Sequence, residues 1–186
     1  EVYLNGEPVH IRSTSDAVKA GIMLLPEDRK VEGLLLQMSI KDNIVLPSLK
    51  SLAKYGLVNK KKGRKLAKEY IGHLRVKCTS ENQIVNNLSG GNQQKVVFAK
   101  WLAARPKILM LDDPTRGIDV GSKHEIYGLI RNLANQGIGI IFVSSEMPEL
   151  VGVCDRILVM RDGEIVAEYI GDAINENALM MSATGR

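Results

Sequence analysis

Aromatic residues are scarce in this chain: one Trp, two Phe and five Tyr make up 4% of 186 residues. That scarcity speaks against a nucleic-acid surface built on base stacking, which interleaves aromatic rings with basic side chains. Cysteine is rarer still. Cys78 and Cys154 are the only two and show no C-x-x-C spacing, which argues against a disulfide framework or a thiolate metal site and fits a reducing, cytosolic setting. No apolar run, Ile138 to Val143 included, approaches the ~20 residues of a membrane-spanning helix, and the opening residues do not read as a secretory leader. Also missing is a lysine-bearing glycine loop of the G-x-x-x-x-G-K-[ST] type, which cradles phosphate in many nucleotide-binding proteins.

What is present suits one globular domain: 45% of residues are hydrophobic and 25% charged, with a net charge of +4. Much of the positive charge sits in "NKKKGRKLAKEY", Asn59 to Tyr70. There Leu66, Tyr70 and Leu74 recur every four residues, predicting an amphipathic helix with its lysines in water.

The first residues predict a hairpin, Val2 to Leu4 and Val9 to Ile11, turning at Asn5-Gly6. "STSDAVKAG" predicts a short capped helix ending at Gly21, followed by a buried strand closing at Pro26. From about 32 to 87 the pattern is helical with interruptions at Pro47, Gly56 and Gly63, predicting a helical subdomain. A helix is expected from Ser89-Gly90-Gly91 to about Arg105, with Val97, Trp101 and Leu102 on one side and Pro106 as its stop. Ile108 to Leu111 predicts a strand buried on both faces of a parallel sheet. Ile126, Leu129, Ile130 and Leu133 follow helical spacing, with Gly137 as the end. Ile138 to Val143 is a second strand, Pro148 suits a helix's first turn, and a hairpin turns at Asp162-Gly163. Strand and helix in this alternation predict an α/β domain with a parallel core sheet and antiparallel hairpins.

Asp112-Asp113 end the first of these apolar strands, at the sheet edge where such folds bind ligands. A carboxylate pair there can divide the labour of phosphoryl transfer, one holding a magnesium ion and the other orienting the attacking water. A loop-capping role for the pair is the plainer alternative.

The string "LSGGNQQKV" followed by "LMLDDPTRGIDVG" resembles the signature motif, Walker B strand and D-loop of an ABC-type ATPase. With "LLPEDRKVEGL" and "VSSEMPEL" added, residues 1–186 as a whole resemble the carboxyl-terminal nucleotide-binding domain of the tandem ATPases of ribose, galactose and xylose importers. The resemblance implies an ABC-type P-loop NTPase domain lacking the Walker A strand and loop, with ATP and Mg2+ as ligands. It implies a second nucleotide-binding domain and membrane permease subunits as partners, no direct contact with sugar, and a cytoplasmic place at the inner face of the plasma membrane. The absent phosphate loop leads to the expectation of an amino-terminally truncated piece of an ATPase, inactive alone and exposing a sheet edge. A catalytically inert fragment, or an ABC protein acting on RNA, are the alternative readings.

In this family two such domains close head to tail, so Ser89, Gly90, Gly91 and Gln93 are expected to meet the nucleotide held by the partner. Glycines let the backbone approach phosphate, and a helix N-terminus favours negative charge. Asp112 is the expected metal ligand, and Asp113 stands at the position of the usual catalytic glutamate. Ser145 takes the place of the switch histidine, with capping of the next helix as its plainer role. Glu27 lies where the family carries the Q-loop glutamine, and its charge needs an offset from magnesium or Arg29. Asp119 is the D-loop aspartate, a coupling residue or the cap of the helix that follows. Shortened Asp113, Ser145 and Glu27 together predict a degenerate site on their side and a competent one on the signature side.

Overall fold

The computed structural model describes residues 1–185 and divides into two compact units, 1–141 and 142–186. The first unit begins with the expected hairpin, shorter than the pattern suggested: β1 (Tyr3–Leu4) pairs antiparallel with β2 (Glu7–Pro8), and Asn5 and Gly6 take positive φ at the turn. Helix α1 (Thr14–Ala20) starts at Ser13, whose hydroxyl accepts the Asp16 N–H, and stops at Gly21 in the left-handed region. Strand β3 (Ile22–Leu25) follows.

A single π-helical turn, Arg29–Gly33, then opens on Asp28, whose carboxylate accepts the N–H groups of Lys30 and Val31. The helical region contains α2 (Ile40–Val45), a 3-10 turn at Leu46–Ser48, α3 (Leu49–Leu52) and α4 (Lys60–His73). Between α3 and α4 lies an unforeseen hairpin, β4 (Ala53–Lys54) with β5 (Leu57–Val58), turning at Tyr55-Gly56 with positive φ at both residues. Gly63 does not interrupt anything. It lies inside α4, buried, with Val45 and Leu52 at van der Waals distance from where a Cβ would stand. The lysines of α4 face water as expected, while Gly63, Ala67 and Leu74 are buried.

Helix α5 (Gly90–Leu102) runs through the interior. The sequence suggested a one-sided helix, but Gln93 through Lys100 are all buried, so α5 is enclosed all round. Val96, Val97 and Phe98 have no exposed surface, and truncating such a Phe to Ala typically costs ~3–5 kcal/mol. Lys100 is buried too, donating to the Gly33 carbonyl at 2.9 Å and lying over the Trp101 ring. Burial pushes its pKa below 10.5.

Strand β6 (Ile108–Asp112) pairs parallel with β3 in the register Leu24↔Met110, and a three-stranded sheet is ordered β3-β6-β7, with β7 at Gly139–Val143. The expectation of burial on both faces fails. Leu109 and Leu111 are enclosed, but Met110 is 36% and Leu24 47% exposed. Gly139 sits against Ile108, so Ile141, two residues on, shares that open face and is 51% exposed. Parallel sheets normally cover both faces with helices, and one layer is lacking over these residues. Helix α6 (Val120–Asn135) buries Ile126, Ile130 and Leu133.

The second unit holds α7 (Met147–Val153), the hairpin β8 (Arg156–Arg161) and β9 (Glu164–Ile170), and α8 (Glu176–Thr184). The hairpin turns at Asp162-Gly163 as expected, with a register shift at Val159/Met160. Ile157, Val159 and Leu179 form its core, and the Tyr169 hydroxyl bonds Ser182 at 2.7 Å. No helix among the described residues is long and apolar enough to cross a membrane.

Two outcomes follow from this packing. The 186-residue chain is expected to bind an apolar dye and self-associate through the Leu24, Met110 and Ile141 face. Met110→Lys should reduce both, by fluorescence and sedimentation, without lowering the melting temperature. For Lys100, the unfolded state holds the proton more tightly than the folded one, so stability rises with pH between the lowered folded pKa and 10.5. Urea unfolding at a series of alkaline pH values should show this rise in the native chain and not in Lys100→Met.

Candidate functional site

Ser89 occupies the position just before the first turn of α5 and is exposed, yet its hydroxyl does not cap that helix. Its Oγ accepts the Asn92 Nδ2–H at 2.9 Å, and Asn92 in turn accepts the Lys77 backbone N–H at 2.7 Å. Ser89 thus stands at a helix N-terminus whose first N–H groups it does not cap, the usual seat of an anion. An open groove of about 380 Å³, lined by Lys77, Cys78, Thr79, Asn87 and Asn92, reaches Ser89 from one side. Partial burial and the nearby Glu81 charge raise the pKa of the Cys78 thiol.

Both glycines are closely packed within this chain, Gly91 more strictly than Gly90. A Cβ on Gly90 would stand 2.8 Å from Nη2 of Arg29 and 3.3 Å from the Gly117 carbonyl. One on Gly91 would stand 2.5 Å from the Ser122 hydroxyl oxygen and 2.8 Å from its Cβ. The N-terminus of α5 therefore lies directly against the loop that leads into α6. Gln93, expected to share this surface, is turned inward: it is 4% exposed and donates to the Val85 carbonyl. It braces the loop from beneath and does not stand beside Ser89.

Asp119 is the cap of α6, its carboxylate accepting the Ser122 N–H at 3.0 Å, and that bond holds its pKa below the usual value. Gly117, two residues earlier, adopts positive φ. Arg29 reaches this loop with a two-pronged contact, Nη1 to the Arg116 carbonyl at 2.8 Å and Nη2 to the Gly117 carbonyl at 3.3 Å. Glu27 pairs with the Arg116 guanidinium. The expected offset of Glu27 by Arg29 is thus corrected: Arg116 neutralises Glu27, and Arg29 is spent on backbone carbonyls. Arg116, Gly117 and Ser122 were not singled out from the sequence, although the Arg-Gly pair inside "DPTRGID" is a turn signal.

Asp112 ends β6, half-buried, and Asp113 follows with φ of 39° in the left-handed region. The Asp113 carbonyl accepts the Arg116 N–H at 3.0 Å, closing the turn. Among the described residues, no three His, Cys, Asp or Glu side chains form a metal cluster. Through Arg116 and Arg29, Glu27 is linked to Gly117 and Gly90 in one chain of contacts. Ser145 belongs to the second unit and is exposed. Beside it the Ser144 hydroxyl accepts the Glu146 N–H at 3.0 Å and donates to the buried Glu149 carboxylate at 2.9 Å, and Glu146 is the residue at which α7 begins.

Residues 1–116 match the family model described as ABC transporter. The chain is 48% identical over all its length to a ribose import ATP-binding protein of Geobacillus kaustophilus, covering 37% of it. It is 48% identical over its whole length to a xylose import ATP-binding protein of Thermoanaerobacter pseudethanolicus, again covering 37%. A ribose import ATP-binding protein of Lactococcus lactis is 50% identical over 99% of this chain and is covered to 37%. The chain thus spans a little over a third of the length of these relatives. Among solved structures, a nucleotide-free ATP-binding cassette from an ABC transporter superposes with a TM-score of 0.78 at 19% identity, over 99% of this chain and 72% of that one. A dimeric cassette in a post-hydrolysis state, bound to ADP and Pi, gives 0.72 at 23% identity, over 90% and 72%. These likenesses show the fold, an α/β ATP-binding cassette.

The Gly91–Ser122 approach can be checked without any activity. Gly91→Ala should destabilise the chain by ~1–3 kcal/mol, the usual range for overpacking, and adding Ser122→Gly should recover much of the loss. Chemical denaturation of the single and double variants measures both.

Proposed function

This chain belongs to the ABC transporter family, and from that premise we propose that it is an ATP-handling domain of a sugar importer, the second of two in its parent protein. Its signature surface covers a nucleotide held by a partner nucleotide-binding domain. The observation that carries this reading is Ser89: exposed, at the N-terminus of a buried thirteen-residue helix, with its Oγ accepting from Asn92 instead of capping the helix. Beside it the half-buried Gly90 offers bare backbone, which suits close approach by phosphate oxygens, while Gly91 is buried against Ser122. The import ATP-binding proteins that share nearly half of its residues support the sugar class, and the motif resemblance suggests the permease partners. The domain would lie peripherally at the inner membrane face, touching permease subunits and not sugar.

Within this reading Asp112 holds Mg2+, and the fit is adequate: this ion is commonly bound through one or two carboxylates with phosphate oxygens filling other positions. Bound there, it neutralises charge on the transferring phosphoryl group. Asp113 orients water, with a reach shorter than that of a glutamate. Ser145 stands at the switch position, where its hydroxyl offers a donor but no imidazole. Glu27, held by Arg116, brings no uncompensated charge. Asp119 fixes the start of α6 at the interface.

The two sides have unequal catalytic prospects, the signature side being the working one. In the full-length parent, Ser89→Arg is expected to lower ATPase turnover by ~100-fold or more, the scale for losing a preorganised donor to a developing charge. Asp113→Ala should change turnover only two- to threefold by the same reasoning. Steady-state ATPase assays decide, and equal losses would sink the asymmetry.

A further inference from the structure

The Arg29 side chain does something that neither the nucleotide reading nor the fold demands. Its guanidinium is threaded between two glycines on different elements, Gly90 at the start of α5 and Gly117 before α6, with Nη atoms bonded to the Arg116 and Gly117 carbonyls. Its Nε is buried with no hydrogen-bond partner. A half-buried cation with a bare donor is costly, and a fold keeps one only where the geometry is useful. The planar fork suits two adjacent carbonyls, a fit that an ammonium on a flexible stem cannot reproduce. At its base, the π-helical turn Arg29–Gly33 is pinned at the other end by Lys100, which bonds the Gly33 carbonyl. The fork is therefore presented from a tethered turn rather than from a loose loop.

Resting on the signature-side reading above, we infer that Arg29 is a positioning residue for the partner's nucleotide. It holds the Arg116-Gly117 backbone against Gly90, so that Ser89, Gly90 and the loop capped by Asp119 form one preset surface. The absence of a Cβ at Gly90 then has two causes: phosphate approaches from outside, and the guanidinium already fills the space inside. Geometry set before the nucleotide arrives lowers the cost of ordering at the reaction step, so its loss falls on turnover more than on affinity. The Glu27–Arg116 pair adds a second link between the same two segments, exposed and therefore weaker.

The test uses the full-length parent with Arg29→Lys and Arg29→Gln, and with Ser89→Arg as a check on the underlying reading. ATPase kcat and KM are measured together with backbone hydrogen exchange at residues 117–119 in the absence of nucleotide. The expected result is a tenfold or greater fall in kcat, KM for ATP within threefold, faster exchange at 117–119, and no rescue by Lys. Full activity in Arg29→Lys, unchanged exchange at 117–119, or a kcat loss that tracks a lowered melting temperature would each overturn the proposal. If Ser89→Arg leaves ATPase intact, the signature-side reading is what fails, and the exchange data still report whether Arg29 holds the loop.

Discussion

Where α5 enters the fold, there is no room for a Cβ. Gly90 meets a guanidinium and Gly91 meets the Ser122 side chain, each at a distance that ordinary side chains never show. This steric constraint sets the position of the helix and, with it, much of the first unit. An enclosed α5 gives β3, α2, α4 and the π-helical turn a common surface to pack on, and its start is fixed against the loop that launches α6. Glycine at these two positions is usually explained by what it allows a ligand to do. Here the chain's own packing constrains both positions, and Gly91 against Ser122 most strictly.

Burying α5 on all sides has a chemical cost, because its sequence is not wholly apolar. Gln93, Gln94, Lys95 and Lys100 are carried inside with the valines and Phe98. Each charged or amide group then needs a partner. Gln93 finds Val85, Lys95 finds Glu125, and Lys100 finds Gly33. These bonds all run to segments other than α5 itself, so the helix becomes a hub tying the 29–33 turn, the loop at 85 and α6 together. A fully aliphatic helix would be at least as stable in place, but would specify those neighbours less sharply.

Local signals were legible in the sequence wherever one residue type dominates the physics. Ser13 and Gly21 bounded α1, Asn5-Gly6 and Asp162-Gly163 made their turns, and the period-four stripe of α4 chose its buried side. Signals that depend on distant neighbours were not. Gly63 reads as a breaker in isolation and is a helix contact in the fold, because only the approach of Val45 and Leu52 decides which. Tyr55-Gly56 formed a hairpin that no apolar alternation announced. The one-sided pattern of α5 disguised its burial, since polar residues with partners bury as well as apolar ones. In the candidate site, Ser89 and the glycines could be found from their string alone. Arg29's true partners could not, because backbone carbonyls carry no sequence label, and Gln93 looked like a neighbour of Ser89 until helical rotation turned it inward.

Asp113 shows how backbone and chemistry can select the same residue. Its φ of 39° is a conformation that costs most residues about 1–3 kcal/mol. Aspartate and asparagine suffer least there, since a short polar side chain can hydrogen-bond locally. The turn it starts is closed by the Arg116 N–H on its carbonyl, and Arg116 supplies both the guanidinium for Glu27 and one carbonyl for Arg29. A longer glutamate would extend the carboxylate's reach but fit the left-handed backbone less well. The aspartate at this position is therefore tied to the geometry of the 113–117 turn, and through Arg116 to the contacts of Glu27 and Arg29.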